Sequence, residues 1–367
     1  MEEYDFLIVG AGLAGCVLAE RLASLGRKVL VVEKRGHIAG NCYDYVDDAG
    51  VLVHKYGPHY FRTNSVNVRE YLSKFTEWLP QRYVVKASIN GELYDLPINR
   101  NTLNKFFKAD LKTDEETKAF LGKIRDTAII NPKNAEEQVL MLAGKELYNA
   151  FFKNYTKKQW GIEARELDAS VTARIPIRFN DNPAYFDDSF QAMPKEGYTK
   201  MFEGMLVGEN ITLMLGTEYE KIRARVKFRK LIYTGQIDTF FGCKYGKLRY
   251  RSLKFVHESH TGREYFQAYS QINYPNEEEY TRIVEIKHAT KQKCPNTTIV
   301  YEYPIWDGEP YYPVPNEKER EVYQKYSQEA RKLNDVYFIG RLATYRYLNM
   351  DQIVKEALEL FEAIKDE

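Results

Sequence analysis

The chain has 367 residues, of which 44% are hydrophobic and 29% charged, as in a globular protein of two or three domains rather than a disordered one. Lys and Arg number 53 against 52 Asp and Glu, and this net charge of +1 argues against non-specific binding to nucleic acid or to an anionic membrane. No segment reaches the roughly 20 apolar residues of a membrane span; the acidic start MEEYDF is unlike a signal peptide, and Cys16, Cys42, Cys243 and Cys294 lack disulfide or metal spacing, so a cytoplasmic location is expected.

DFLIV (residues 5–9) predicts a short buried strand, followed at once by Gly10, Gly12 and Gly15 in the pattern G-x-G-x-x-G. A helix is expected from Leu13 to Leu25, with Leu13, Val17, Leu18, Leu22 and Leu25 on its apolar side and Gly26 as its cap. A second strand, KVLVVE (28–33), ends on Glu33. In this order the elements form a dinucleotide-binding signature, the alternative being a purely structural glycine turn. Gly10 permits the tight turn, Gly12 lets a pyrophosphate reach the backbone, and Gly15 lets helix pack on strand. The helix N-terminus at Leu13, Ala14 and Gly15 favours the phosphates, and Glu33 can accept from ribose hydroxyls. The basic run KRGHIAGN, with Lys34, Gly40 and Asn41, resembles the extension of FAD proteins of the glutathione-reductase and amine-oxidase type, although Ala39 stands where those often have glycine. His59 sits on a Gly-Pro turn from which it could approach a flavin; a lone histidine is more often structural.

YVVKASI-NG-ELYDLPI (83–98) predicts a hairpin about its Asn-Gly pair. From Asn101 to Trp160 the pattern is helical. Within LYNAFFKNYTKKQWG (147–161), Phe151 and Tyr155 are four apart, while Phe152, Tyr155, Thr156 and Gln159 share neighbouring faces. These residues suit either a stacking platform for a base or the packed core of a helical domain. Strand-like, proline-bearing segments fill 170–195. The runs KLRYRSLKFVHE, REYFQAYSQINY, TRIVEIKH and TTIVYEYP (247–303) alternate as antiparallel strands do, and His257 and His260 in VHESH read as a solvated loop rather than a metal site. LIYTGQID (231–238) and VYFIGRLAT (336–344), the latter ending in Gly340-Arg341, resemble two further FAD-contacting elements of the same superfamily. Arg174, Arg282 and Arg341 with Tyr185, Tyr312 and Tyr347 would make a donor-rich pocket matched to a diphosphate, though any one of them alone would pass for an ordinary surface or packing residue. No G-x-S-x-G elbow, Cys-x-x-C pair or second glycine fingerprint is present.

Taken together, GAGLAG, GPHYFRT, FFKNYTKKQWG, TARIPIR, PAYF, YTGQID, TRIVEIKH, PYYPV and GRLATYRYL resemble the bacterial UDP-galactopyranose mutases over nearly the full length. The resemblance implies an α/β fold: an FAD-binding Rossmann-like domain (1–82, 199–245 and 328–367), an inserted helical domain with a mobile substrate loop (101–165), and an antiparallel β-sheet domain (83–100, 166–198 and 246–327). It implies interconversion of UDP-galactopyranose and UDP-galactofuranose, with N5 of reduced FAD as the nucleophile at the anomeric carbon and no net redox change. Phe151, Phe152 and Tyr155 resemble the uridine site, with Thr156 and Trp160 nearby; Trp160 resembles the tryptophan of the mobile substrate loop, and Asn273 an asparagine that contacts the nucleotide. Arg174 and Arg282 resemble the diphosphate pair, and Tyr185, Tyr312 and Tyr347 their partners. Arg341 and His59 resemble flavin-side residues, and Met350 a further cofactor contact. An external reductant such as NAD(P)H and a homodimer are also implied. Where the family usually reads YLDMD, this chain has Asn349. Two other readings share the cofactor fold: a substrate-oxidising flavoenzyme, and a non-catalytic binding protein of the GDP-dissociation-inhibitor kind.

Overall fold

A computed structural model describes residues 3–367. A parallel sheet of five strands runs in the order Ile211–Met214, Val29–Val32, Glu3–Val9, Lys227–Tyr233, Val336–Phe338. Val29–Val32 and most of Glu3–Val9 are apolar on both faces because both faces are covered there. Phe6, Ile8, Val29 and Val31 pack against helices Leu13–Ala23, Tyr198–Met205 and Met350–Ile364. The alternate residues Leu7, Leu30, Val32, Leu231 and Tyr233 form a second core on the opposite face, as the two-residue period of a strand requires. The turns after Val9, Val32, Tyr233 and Phe338 thus gather at the carboxyl ends of the parallel strands, where open α/β sheets place their ligands.

The first helix stops at Ala23, short of the expected Leu25. Gly26, at φ +80°, donates to Ala23 O (2.9 Å) and turns the chain, so Leu25 lies outside the helix and is 52% exposed instead of on the apolar face.

The second sheet has seven strands in the order Tyr312–Pro313, Tyr250–His260, Thr297–Ile305, Arg282–Val284, Gln271–Asn273, Val85–Ile89, Glu92–Leu96. Asn90 and Gly91 both take positive φ, as the tight hairpin turn demands. The sheet is antiparallel as expected except at one place, where Gln271–Asn273 runs parallel to Val85–Ile89. Residues 263–270 are not a strand: the N–H groups of Phe266 and Gln267 go to the buried Glu285 carboxylate (2.8 and 2.9 Å) rather than to a ladder. Lys287–Thr290 is a helical turn, with the buried Lys287 ammonium donating to the carbonyls of Glu264, Cys294 and Asn296. His257 and His260 lie on strand Tyr250–His260, not in a loop. Strand Phe190–Pro194, grouped with the sheet domain on sequence, pairs with Phe61–Thr63 and Trp78–Pro80 in a separate small sheet.

Helices Arg100–Phe107, Asp114–Ile124 and Ala135–Leu147 each start on an Asn or Thr cap. The last continues through a π-helical stretch, Tyr148–Lys153, into Asn154–Trp160. Leu103, Leu121, Val139 and Leu147 form a separate core with Ala87, Ile89 and Tyr94 of the hairpin. No helix among the described residues is long and apolar enough to cross a membrane.

Candidate functional site

A cavity of about 1040 Å³ lies where these layers meet. At one end, beside the lining residue Asn41, it adjoins the glycine turn. A Cβ on Gly10 would stand 2.2 Å from Thr234 Oγ1, and one on Gly15 1.9 Å from Gly10 O, so both positions exclude a side chain. A Cβ on Gly40 would come within 2.9 Å of Gly12 Cα. Gly12 caps helix Leu13–Ala23 without a side-chain hydrogen bond, and no acid occupies the first turn, which leaves the N–H groups of Leu13, Ala14 and Gly15 free of a side-chain cap. Glu33 is oriented by the N–H groups of Ala11 (3.0 Å) and Arg35 (2.8 Å). Gly340, at φ +88°, approaches Ala14 and Thr234, and Met350 opens the last helix beside Cys42. This bare main-chain cradle, with an oriented acid at its rim, fits the dinucleotide expected from sequence. Lys34 points elsewhere, pairing with Glu309 at 2.6 Å outside the cavity wall, while Asn41 lines the cavity and accepts from Arg35 Nη1 (3.0 Å).

His59 lines the same end, its N–H donating to His54 Nδ1 (3.2 Å). Burial pulls both imidazoles down to about 3, so both are neutral near pH 7.

The aromatic stripe proves to be core and cavity wall at once. Phe151 packs edge-on to Tyr94 at 5.5 Å, yet Phe151, Phe152, Tyr155 and Trp160 all face the cavity. Tyr155 is pushed up to about 12 by burial. Gln159, one α-turn beyond Tyr155, lines the wall and keeps a buried Oε1 with no partner, while Asn273 lines it and accepts from Gln271 Nε2 (2.9 Å). Thr156 does not reach the cavity: one residue past Tyr155, it is rotated by about 100° and buried behind the wall.

Between the two ends stand the arginines and tyrosines, brought from distant segments. The Arg174 guanidinium lies 4.3 Å over the Tyr347 ring and Arg341 lies 4.9 Å from it. Tyr312 stacks on Tyr347 with centroids 5.5 Å apart, Trp160 meets Tyr312 edge-on at 6.2 Å, and Tyr185 completes the wall against Phe186. Arg341 is fixed by the carbonyls of Tyr311 (3.2 Å) and Leu348 (2.6 Å), with its buried Nε unpartnered. Burial alone would raise the Tyr347 phenol, but Arg174, Arg341 and Arg282 outweigh it and pull the group down to about 8. Tyr347 is 37% accessible, and it opens onto the cavity.

Arg282 is buried against Glu302, which sequence reading did not single out. The available signal was a charge at an inward position of the alternating strand TTIVYEYP, whose partner across the sheet cannot be read from either strand alone. Among the described residues no cluster of three or more His, Cys, Asp or Glu has metal-site geometry.

Residues 150–347 match the family model for UDP-galactopyranose mutase, and residues 8–75 the model for an NAD(P)-binding Rossmann-like domain. A probable UDP-galactopyranose mutase of Klebsiella pneumoniae is 41% identical, the alignment covering 98% of this chain and 94% of that one. A dTDP-fucopyranose mutase of Escherichia coli is 37% identical, with 96% of each chain covered. The crystal structure of a reduced UDP-galactopyranose mutase superposes with a TM-score of 0.78 at 16% identity, over 98% of this chain and 95% of that one, a likeness of fold. The matched family region begins at the aromatic wall and ends at Tyr347, so it spans the cavity's central arginines and tyrosines, and this chain belongs to the UDP-galactopyranose mutase family.

Proposed function

We propose that the protein interconverts UDP-galactopyranose and UDP-galactofuranose on a reduced FAD and so supplies galactofuranose for cell-surface polysaccharide. The observation that carries this reading is adjacency: one cavity holds an aromatic wall and three guanidiniums, and its lining residues Asn41 and Met350 adjoin the main-chain dinucleotide cradle through Gly40 and Cys42. Gly10, Gly12, Gly15, Glu33, Gly40 and Gly340 would hold the cofactor, which when bound and reduced supplies a nucleophilic nitrogen for the anomeric carbon without net redox change. The chain itself provides orientation. Phe151, Phe152 and Tyr155 hold the base, and the unpartnered Gln159 oxygen offers an acceptor for a ring N–H. Arg174 and Arg282 offer planar forks to the diphosphate, which fix the sugar and stabilise the charge that develops as the glycosidic oxygen departs. His59, neutral through burial, places no charge beside the cofactor end. An external reductant such as NAD(P)H and a homodimer complete the reading.

Conversion of UDP-galactofuranose, followed by chromatography with the holoenzyme oxidised and then reduced by dithionite, tests it. Turnover in the reduced sample alone is expected. Bound flavin with no turnover in either state would overturn the reading. The similarity to the dTDP-fucopyranose mutase supports a second substrate, so dTDP-fucopyranose belongs in the same assay. Arg174→Ala should lower turnover about a hundredfold while flavin stays bound.

A further inference from the structure

One buried carboxylate in the cavity has no task in this reading. Arg282 and Glu302 stand directly opposite each other on neighbouring antiparallel strands, with Arg282 Nε 3.0 Å from Glu302 Oε2. Glu302 is 1% exposed, and its Oε1 has no hydrogen-bond partner. The space beside that oxygen exists because residue 57 is glycine; a Cβ there would lie 2.7 Å from Oε1. The other carboxylates on the wall are engaged peripherally: Asp168 with Arg320, Asp187 with Arg178, Asp188 with Arg62, and Asp351 with the Thr63 hydroxyl. Among the described residues neither Arg174 nor Arg341 has an acidic partner, so Glu302 is the carboxylate that meets the central three arginines.

The side-on contact has two physical consequences. It is an ion pair beside Nε, close but out of hydrogen-bond alignment, and it leaves the terminal Nη groups, the fork that matches two phosphate oxygens, unclaimed by the acid. It also sets a negative charge beside a cation that must attract a polyanion, which weakens that attraction. We propose that Glu302 is a positioning residue that aims the Arg282 fork and moderates its grip, so that a nucleoside diphosphate is held in one pose without being overbound. This rests on the function proposed above.

The effects of charge and reach separate in two variants of the flavin-loaded protein, with UDP as the probe. Glu302→Gln removes the charge; UDP should bind about tenfold tighter while kcat falls about tenfold to a hundredfold. Glu302→Asp keeps the charge but falls one methylene short; UDP affinity should stay near wild type while kcat still falls. A purely structural role predicts the opposite for the first variant, weaker UDP binding together with lower kcat, and that result would overturn the proposal, as would unchanged values for both. If Glu302→Gln does not fold with flavin, Glu302→Asp decides, and wild-type kcat there would count against the role. A wild-type protein that holds flavin but does not bind UDP would instead overturn the reading of the whole site.

Discussion

In the glycine cradle beside the cavity the working groups are main-chain N–H groups and missing Cβ atoms, whereas among the cavity's arginines they are side chains drawn from distant segments. The first kind of site is compact in sequence: Gly10 to Glu33 builds most of it, because strand, turn and helix follow one another and fix the backbone locally. The second is assembled by packing, with Arg174 at the end of a short helical turn, Arg282 on a central strand and Tyr347 after the last parallel strand. A main-chain site can be broken only by changing the chain's path. A side-chain site can be retuned one charge at a time.

The largest effect should come from breaking the backbone device. In Gly15→Ala the new methyl meets the Gly10 carbonyl at 1.9 Å, which no rotamer can relieve. A stability loss of about 3 kcal/mol and loss of copurifying flavin are expected, read by thermal melting and by absorbance. A variant that kept both would show that helix and strand can separate there at little cost.

The charged end should instead respond to pH. Tyr347, at about 8, lies below the ordinary tyrosine value of about 10, so folding favours its phenolate. That contribution is present above the unfolded value and is lost as pH falls through about 8, so the wild-type protein should gain stability relative to Tyr347→Phe as pH rises from 8 to 10. The phenolate and a diphosphate compete for Arg174, Arg282 and Arg341. UDP affinity should therefore fall above pH 8, by up to about tenfold per unit, and Tyr347→Phe should lack that limb. Titration of UDP binding at several pH values checks both; a flat wild-type profile would mean that the phenol stays protonated.

The smallest effect belongs to the seam between the two ends. Asn349 caps helix Met350–Ile364, and its N–H donates to Gln352 Oε1 at 2.8 Å. Asn and Asp serve equally as N-caps, so Asn349→Asp should move stability by no more than about 0.5 kcal/mol, with turnover little changed. A large gain in turnover would assign the usual carboxylate of this position a chemical role that this chain lacks.

Local pattern carried the first two parallel strands and the last, the glycine turn, the Asn-Gly hairpin and the helical insertion, since each depends on residues close along the chain. It also picked out the aromatic wall and the central arginines and tyrosines that line the cavity, through motifs specific to one family. It failed where a distant partner decides. Residues 263–270 alternate like a strand, but a buried glutamate from another segment takes two of their N–H groups. Leu25 belongs to the apolar stripe by period, yet a glycine turn ends the helix before it. Thr156 shares a nominal face with Phe152, but the π-helical stretch ahead of it shifts the register, and Gln159 faces the cavity instead. Lys34 follows the acid of the fingerprint and is drawn off by Glu309. The state of the site itself was the tertiary structure's to decide: Glu302 is set against Arg282 by strand register, and Tyr347 is shifted by guanidiniums from three separate segments, because electrostatic coupling depends on distance in space and not on separation along the chain.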